Sequence, residues 1–89
     1  MLSYSIECSP DFEDDLKKLS RKNPVFRNAV DKKVRLIAQN PQAFKPMRSP
    51  LQGFRRVHIM KSFVLLYRIK ENEKIVVLTK LEHHDSVYM

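Results

Sequence analysis

The stretch Gly53-Phe54-Arg55-Arg56-Val57-His58-Ile59-Met60-Lys61-Ser62-Phe63-Val64-Leu65-Leu66-Tyr67-Arg68-Ile69 reads as two strands joined by a tight turn. Side chains alternate across a pleated strand, so Arg56 and His58 share one face of the first strand while Val57 and Ile59 share the other. Basic groups point out and aliphatic groups point in. The second strand, from Phe63 to Ile69, is an almost unbroken apolar run, the pattern of a strand covered on both sides or lying at the centre of a sheet.

Upstream of this hairpin, Leu2, Tyr4 and Ile6 alternate with Ser3, Ser5 and Glu7, which predicts a half-buried first strand. Ser9-Pro10 then starts a helix, with Ser9 as its N-cap and Pro10 at a position where a missing N–H costs nothing. Acids in its first turns and Lys17, Lys18 and Arg21 near its end match the helix dipole. Phe12, Leu16 and Leu19 form its packing face. Asn23-Pro24 repeats the start signal for a second helix, whose apolar stripe is Phe26, Ala29, Val30, Val34, Ile37 and Ala38 and which ends at Asn40-Pro41. The short link predicts an antiparallel helical hairpin on the sheet. Residues 41–53 hold three prolines and the only glycine, so they form an irregular, stiff crossover pinned by Phe44, Met47 and Leu51. Downstream, Glu71-Asn72-Glu73 turns into a last strand around Ile75, Val76, Val77, Leu78 and Leu81, followed by the tail Glu82-His83-His84-Asp85-Ser86-Val87-Tyr88-Met89. The order is strand, helix, helix and three antiparallel strands, an α+β fold in a single domain spanning residues 1–89.

At 89 residues and 43% hydrophobic content the chain fits one small globular core. Its apolar runs are too short to span a membrane and no signal peptide is visible, so the expectation is a soluble cytoplasmic protein. A single cysteine excludes an internal disulfide, and Cys8, at the end of a strand, is expected to be a buried structural thiol. The net charge of +7 is unevenly spread: five of the ten acids lie in the first fifteen residues, whereas residues 32–70 contain ten Lys and Arg and no acid. A one-sided cationic field of this kind suits a polyanion such as RNA or DNA, or an acidic protein.

A phosphate loop is ruled out by the lone glycine, and neither a Ser-His-Asp nor a Cys-His arrangement is present. His83, His84 and Asp85 lack further ligands at metal-binding spacing. What remains is a set of His, Arg, Lys and Tyr side chains. These suit RNA cleavage by its own 2′-hydroxyl, which needs a base for the 2′-OH, an acid for the leaving 5′-oxygen and cations for the phosphorane charge. Imidazoles perform either proton transfer near neutral pH, Arg matches phosphate oxygens, and Tyr88 offers a ring for stacking.

Residues 51–59, 63–69 and His84-Asp85-Ser86-Val87-Tyr88, in this order and spacing, resemble the RelE/ParE superfamily of prokaryotic type II toxins. The Arg56-Val57-His58-Ile59 strand is most similar to its histidine-using, YafQ-like branch. The resemblance covers essentially the whole chain. It implies a small antiparallel sheet with a helical hairpin on one face (βααβββ) and an open basic face. RelE-like members cut mRNA, commonly in the ribosomal A site, without metal or other cofactor, and are held inactive by a cognate antitoxin. ParE-like members bind DNA gyrase instead, and inactive relatives that only bind nucleic acid form a third alternative. By position, Arg56, His58, His84 and Tyr88 match catalytic or positioning residues. Val64 replaces an arginine of RelE and Ser62 an aspartate of YafQ-like members, so phosphate binding falls to Arg55, Lys61 or Arg68.

Overall fold

The structure, a computed structural model, describes the backbone of residues 3–88 and the side chains of residues 3–86. Strand β1 (Ser5–Cys8) leads into α1 (Pro10–Ser20) and α2 (Pro24–Gln39). Both helix starts follow their caps. Ser9 Oγ accepts the Phe12 N–H at 3.0 Å and donates to the Thr79 carbonyl at 2.7 Å, while Asn23 Oδ1 accepts the Phe26 N–H at 3.1 Å. The Ser9 hydroxyl thus ends one element and ties it to another. A 3-10 turn (Pro41–Ala43) and the two-residue β2 (Lys45–Pro46) begin the crossover, and β3 (Arg55–Ile59), β4 (Phe63–Lys70), β5 (Ile75–His83) and α3 (His84–Tyr88) complete the chain. Of the predicted first strand, Leu2 lies outside the described residues; Tyr4 leaves the sheet and donates its backbone N–H to Ala38.

The five strands lie in the order β1-β5-β4-β3-β2, with the apolar β4 at the centre as its composition demands. The fold is α+β with both helices on one face. One pairing departs from a purely antiparallel sheet: β1 runs parallel to β5, Ser5 opposite Ile75 and Cys8 opposite Leu78. The long connection such a parallel pairing requires is the helical hairpin, which carries the chain to the opposite edge, followed by β2, β3 and β4. Phe12, Phe26, Val30 and Ile37 from the helices close on Val57, Ile59, Leu65, Tyr67, Val76, Leu78 and Leu81 of the covered face, all 5% exposed or less.

Leu78 and Leu81 are three residues apart and would face opposite ways in a regular strand. A bulge resolves this. Leu66 pairs with Lys80 and Tyr67 with Leu78, leaving Thr79 unpaired and returning Leu81 to the core. Beyond the end of β1, the Asp15 carboxylate accepts the backbone N–H of Leu81 at 3.1 Å, so α1 caps the edge that β1 leaves open. The buried Tyr67 donates its hydroxyl to the Pro41 carbonyl at 2.6 Å and fastens the crossover to the central strand. Burial pushes that phenol up to about 12, against a smaller lowering by Arg55.

Cys8 corrects an expectation: it is exposed, because β1 is the outermost strand and Cys8 its last residue. What shielding it has, and the nearby Glu13 carboxylate, raise its thiol above the ordinary range, which disfavours the reactive thiolate. Among the described residues no helix is long and apolar enough to cross a membrane.

Candidate nucleic-acid interface

The face opposite the helices is built by the alternation in β3, β4 and β5. Two cross-strand rows lie on it: Arg56, Leu66 and Lys80, and then His58, Val64 and Glu82. Val57 and Ile59 are buried on the other side while His58 is exposed, as the strand's alternation predicts. Val64 is fully buried although it belongs to this open face, flanked by His58 and Glu82 with α3 returning beside it. Lys80 bends towards α1 and is held at 3.4 Å by both Asp15 and Glu82.

The tail brings the second imidazole. Strand β5 ends at His83, and α3 starts at His84, whose backbone N–H donates to the Ser62 carbonyl at 2.7 Å. The change from strand to helix sends the adjacent rings to opposite sides of the sheet. His83 packs edge-on against Phe63 at 5.5 Å, whereas His84 stacks on His58 with ring centroids 5.6 Å apart and planes inclined by 26°. The Asp85 carboxylate lies 3.8 Å from Nδ1 of each of His83 and His84, contacts that become ion pairs once a ring is protonated. Partial desolvation, then the charges of His84, Arg56 and Lys33, lower the His58 pKa from its ordinary 6.5. Near neutral pH His58 is therefore held in the neutral, proton-accepting form.

A family model described as the ParE toxin of the type II toxin–antitoxin system parDE matches residues 6–88. The chain belongs to this toxin family. It is 44% identical over 85 residues to the RelE4 protein of Methanocaldococcus jannaschii, an alignment covering 96% of this chain and 90% of the relative. Among solved structures it is similar to the RelBE2 toxin–antitoxin complex of Mycobacterium tuberculosis, with 26% identity, a TM-score of 0.79 and coverage of 93% of this chain and 100% of that one. The DinJ–YafQ complex of E. coli shares the fold at 19% identity and a TM-score of 0.76, over 99% and 100% of the two chains. The superfamily expected from the hairpin and tail is thus the observed one.

Within this toxin the candidate residues divide by face. Arg56, His58 and His84 come together on the open side, where the Arg56 guanidinium reaches Met47 Sδ at 3.7 Å. Lys61 is exposed in the β3–β4 turn, next to the Ser62 carbonyl that anchors α3. Arg68 shares the open face but lies four residues along β4 from Val64, about 13 Å away at the rise of a strand. Arg55 points the other way. Its guanidinium donates to the carbonyls of Phe44 at 2.6 Å and Gln42 at 3.2 Å, pinning the crossover, so it is not brought to the histidines. Tyr88 closes α3, but its side chain lies outside the described residues. Phe44 packs against the core, and Met47 and Leu51 are half-buried beside it in the chain. Lys33 and Lys45 were not singled out by sequence reasoning, yet both line a groove with Arg56 and His58. Their one legible signal was membership of the acid-free run.

Proposed function

We propose that this toxin is an mRNA endoribonuclease that cleaves by attack of the RNA 2′-oxygen. The observation that carries the proposal is the His58–His84 stack on an open face bordered by Arg56. Rings 5.6 Å apart can each bond one of the two oxygens that flank the same phosphorus. Neutral His58 takes the 2′-OH proton as the 2′-oxygen bonds to phosphorus. His84 gives a proton to the 5′-oxygen as the P–O5′ bond breaks, leaving a 2′,3′-cyclic phosphate and a 5′-hydroxyl. Arg56 and the exposed Lys61 stabilise the charge on the non-bridging oxygens, with Arg68 binding the strand farther along and Tyr88 positioning a base. Both proton transfers fall to imidazoles, so the reaction needs no metal.

The substrate is mRNA in the cytoplasm, engaged in the ribosomal A site, and the toxin is held inactive by a cognate antitoxin. The complexes found among its structural neighbours support the last point. Primer extension on translated mRNA tests the proposal. Cleavage that persists with chelator and disappears in the His58→Gln/His84→Gln variant is expected, and unchanged cleavage or toxicity in that variant would overturn it. A second reading, a gyrase-binding toxin without nuclease activity, is favoured by Val64, an aliphatic side chain beside His58 where a cation would serve phosphate chemistry. Gyrase-linked DNA breaks in expressing cells, with intact mRNA, would establish it.

A further inference from the structure

Strand β2 covers only Arg55 and Arg56 of β3, so the outer edge of β3 is open alongside Val57 and His58. A groove of about 360 Å³ runs there, within the range of about 300–1,000 Å³ usual for ligand sites. Lys33 enters it from α2, Phe44 and Lys45 from the crossover, and Arg56, Val57 and His58 from β3. Among the described residues no carboxylate lines it and neither lysine has an ion-pair partner. Among the described residues several carboxylates lie with other cations: Asp31 with Arg27, Glu7 with Lys70, and Asp15 and Glu82 with Lys80. Two lysines that face one groove beside an apolar wall repel each other and are stabilised by an anion between them.

We infer that this edge groove is a nucleotide subsite, in which Lys33 and Lys45 hold a phosphate of single-stranded RNA next to the scissile one and Phe44 and Val57 form the wall for its base. The inference rests on the nuclease reading, since that reading fixes the scissile phosphate at His58, where the groove ends. The arrangement is the usual one for single strands, a cationic track beside an apolar surface that tolerates any base. It also assigns the two lysines a role separate from chemistry. They set how the strand is held, whereas the histidines move protons.

The test uses a short fluorescent oligoribonucleotide with 2′-O-methyl groups, which cannot be cleaved, and anisotropy titrations over a series of salt concentrations. Each phosphate neutralised on a single strand contributes about 0.7 to the slope of log K against log salt, and the two lysines share one phosphate, so Lys33→Gln/Lys45→Gln should flatten it by about 0.7. Lys32→Gln/Arg35→Gln, which removes two exposed cations of α2 outside the groove, should flatten it much less. Circular dichroism and urea unfolding establish that both variants remain folded. An unchanged slope in the groove variant, equal flattening in both variants, or no RNA binding by the wild type would each overturn the subsite. Primer extension with the wild type reports separately on the nuclease. Cleavage with lysine-independent binding sinks the subsite alone, and lysine-dependent binding without cleavage sinks only the nuclease.

Discussion

Replacing His58 with Gln separates proton transfer from everything else the residue does. The side chain is exposed and, among the described residues, its ring contact is the stack on His84 at 5.6 Å. Aromatic pairs contribute about 0.5–1.5 kcal/mol beyond buried area, and an exposed pair belongs at the lower end, so the variant should unfold within about 1 kcal/mol of wild type. General acid–base catalysis contributes about 100-fold or more, and 100-fold corresponds to about 2.7 kcal/mol of barrier. Loss of activity should therefore far exceed loss of stability. Single-turnover cleavage of ribosome-bound mRNA, beside ribosome co-sedimentation and urea unfolding, measures all three quantities. A pH arm sharpens the test. A general base works when deprotonated, and the His58 pKa is lowered, so the acidic limb of the kcat/KM profile in the wild type should rise with pH through a value below 6.5. Cleavage by His58→Gln at the wild-type rate, or an acidic limb that persists unchanged in His58→Gln, would refute the assignment of His58 as base.

The same lowered pKa gives His58 a stabilising contribution that is present above its unfolded value of 6.5 and lost as the pH falls through the lower folded value; urea midpoints should fall less on acidification in His58→Gln than in wild type. Tyr67→Phe removes the donor from the buried Pro41 carbonyl and should cost about 1–2 kcal/mol by urea denaturation with RNA binding unchanged. Ser9→Ala loses both the α1 cap and the bond to Thr79, and should cost about 1–2 kcal/mol in the same assay. Arg55→Gln and Arg56→Gln should behave oppositely. The first weakens the crossover it pins and leaves the salt slope of RNA binding alone, and the second lowers that slope by about 0.7 with little effect on stability.

Much of this molecule is written in short-range pattern. The caps at Ser9 and Asn23, the facing of Arg56 and His58, and the central place of β4 follow from preferences that operate within a few residues, and local periodicity reports them faithfully. Alternation alone also puts Arg55 with Val57 and Ile59 on the covered side, although its charge made it a natural candidate for phosphate. The remaining features depend on partners far away in the chain. Ser9 meets Thr79 across 70 residues, and the parallel pairing of β1 with β5 leaves Cys8 open at the sheet's rim. The bulge at Thr79 breaks the alternation of β5 so that Leu78 and Leu81 can both enter the core. His84 reaches His58 because the chain turns from strand to helix between two adjacent histidines, and Lys33 joins them because α2 crosses behind the uncovered edge of β3. The sequence by itself thus determined the elements, their order and which side of each strand is wet. Only the tertiary structure decided which charges and rings meet, because such contacts are selected by packing between distant segments and leave no periodic trace along the chain.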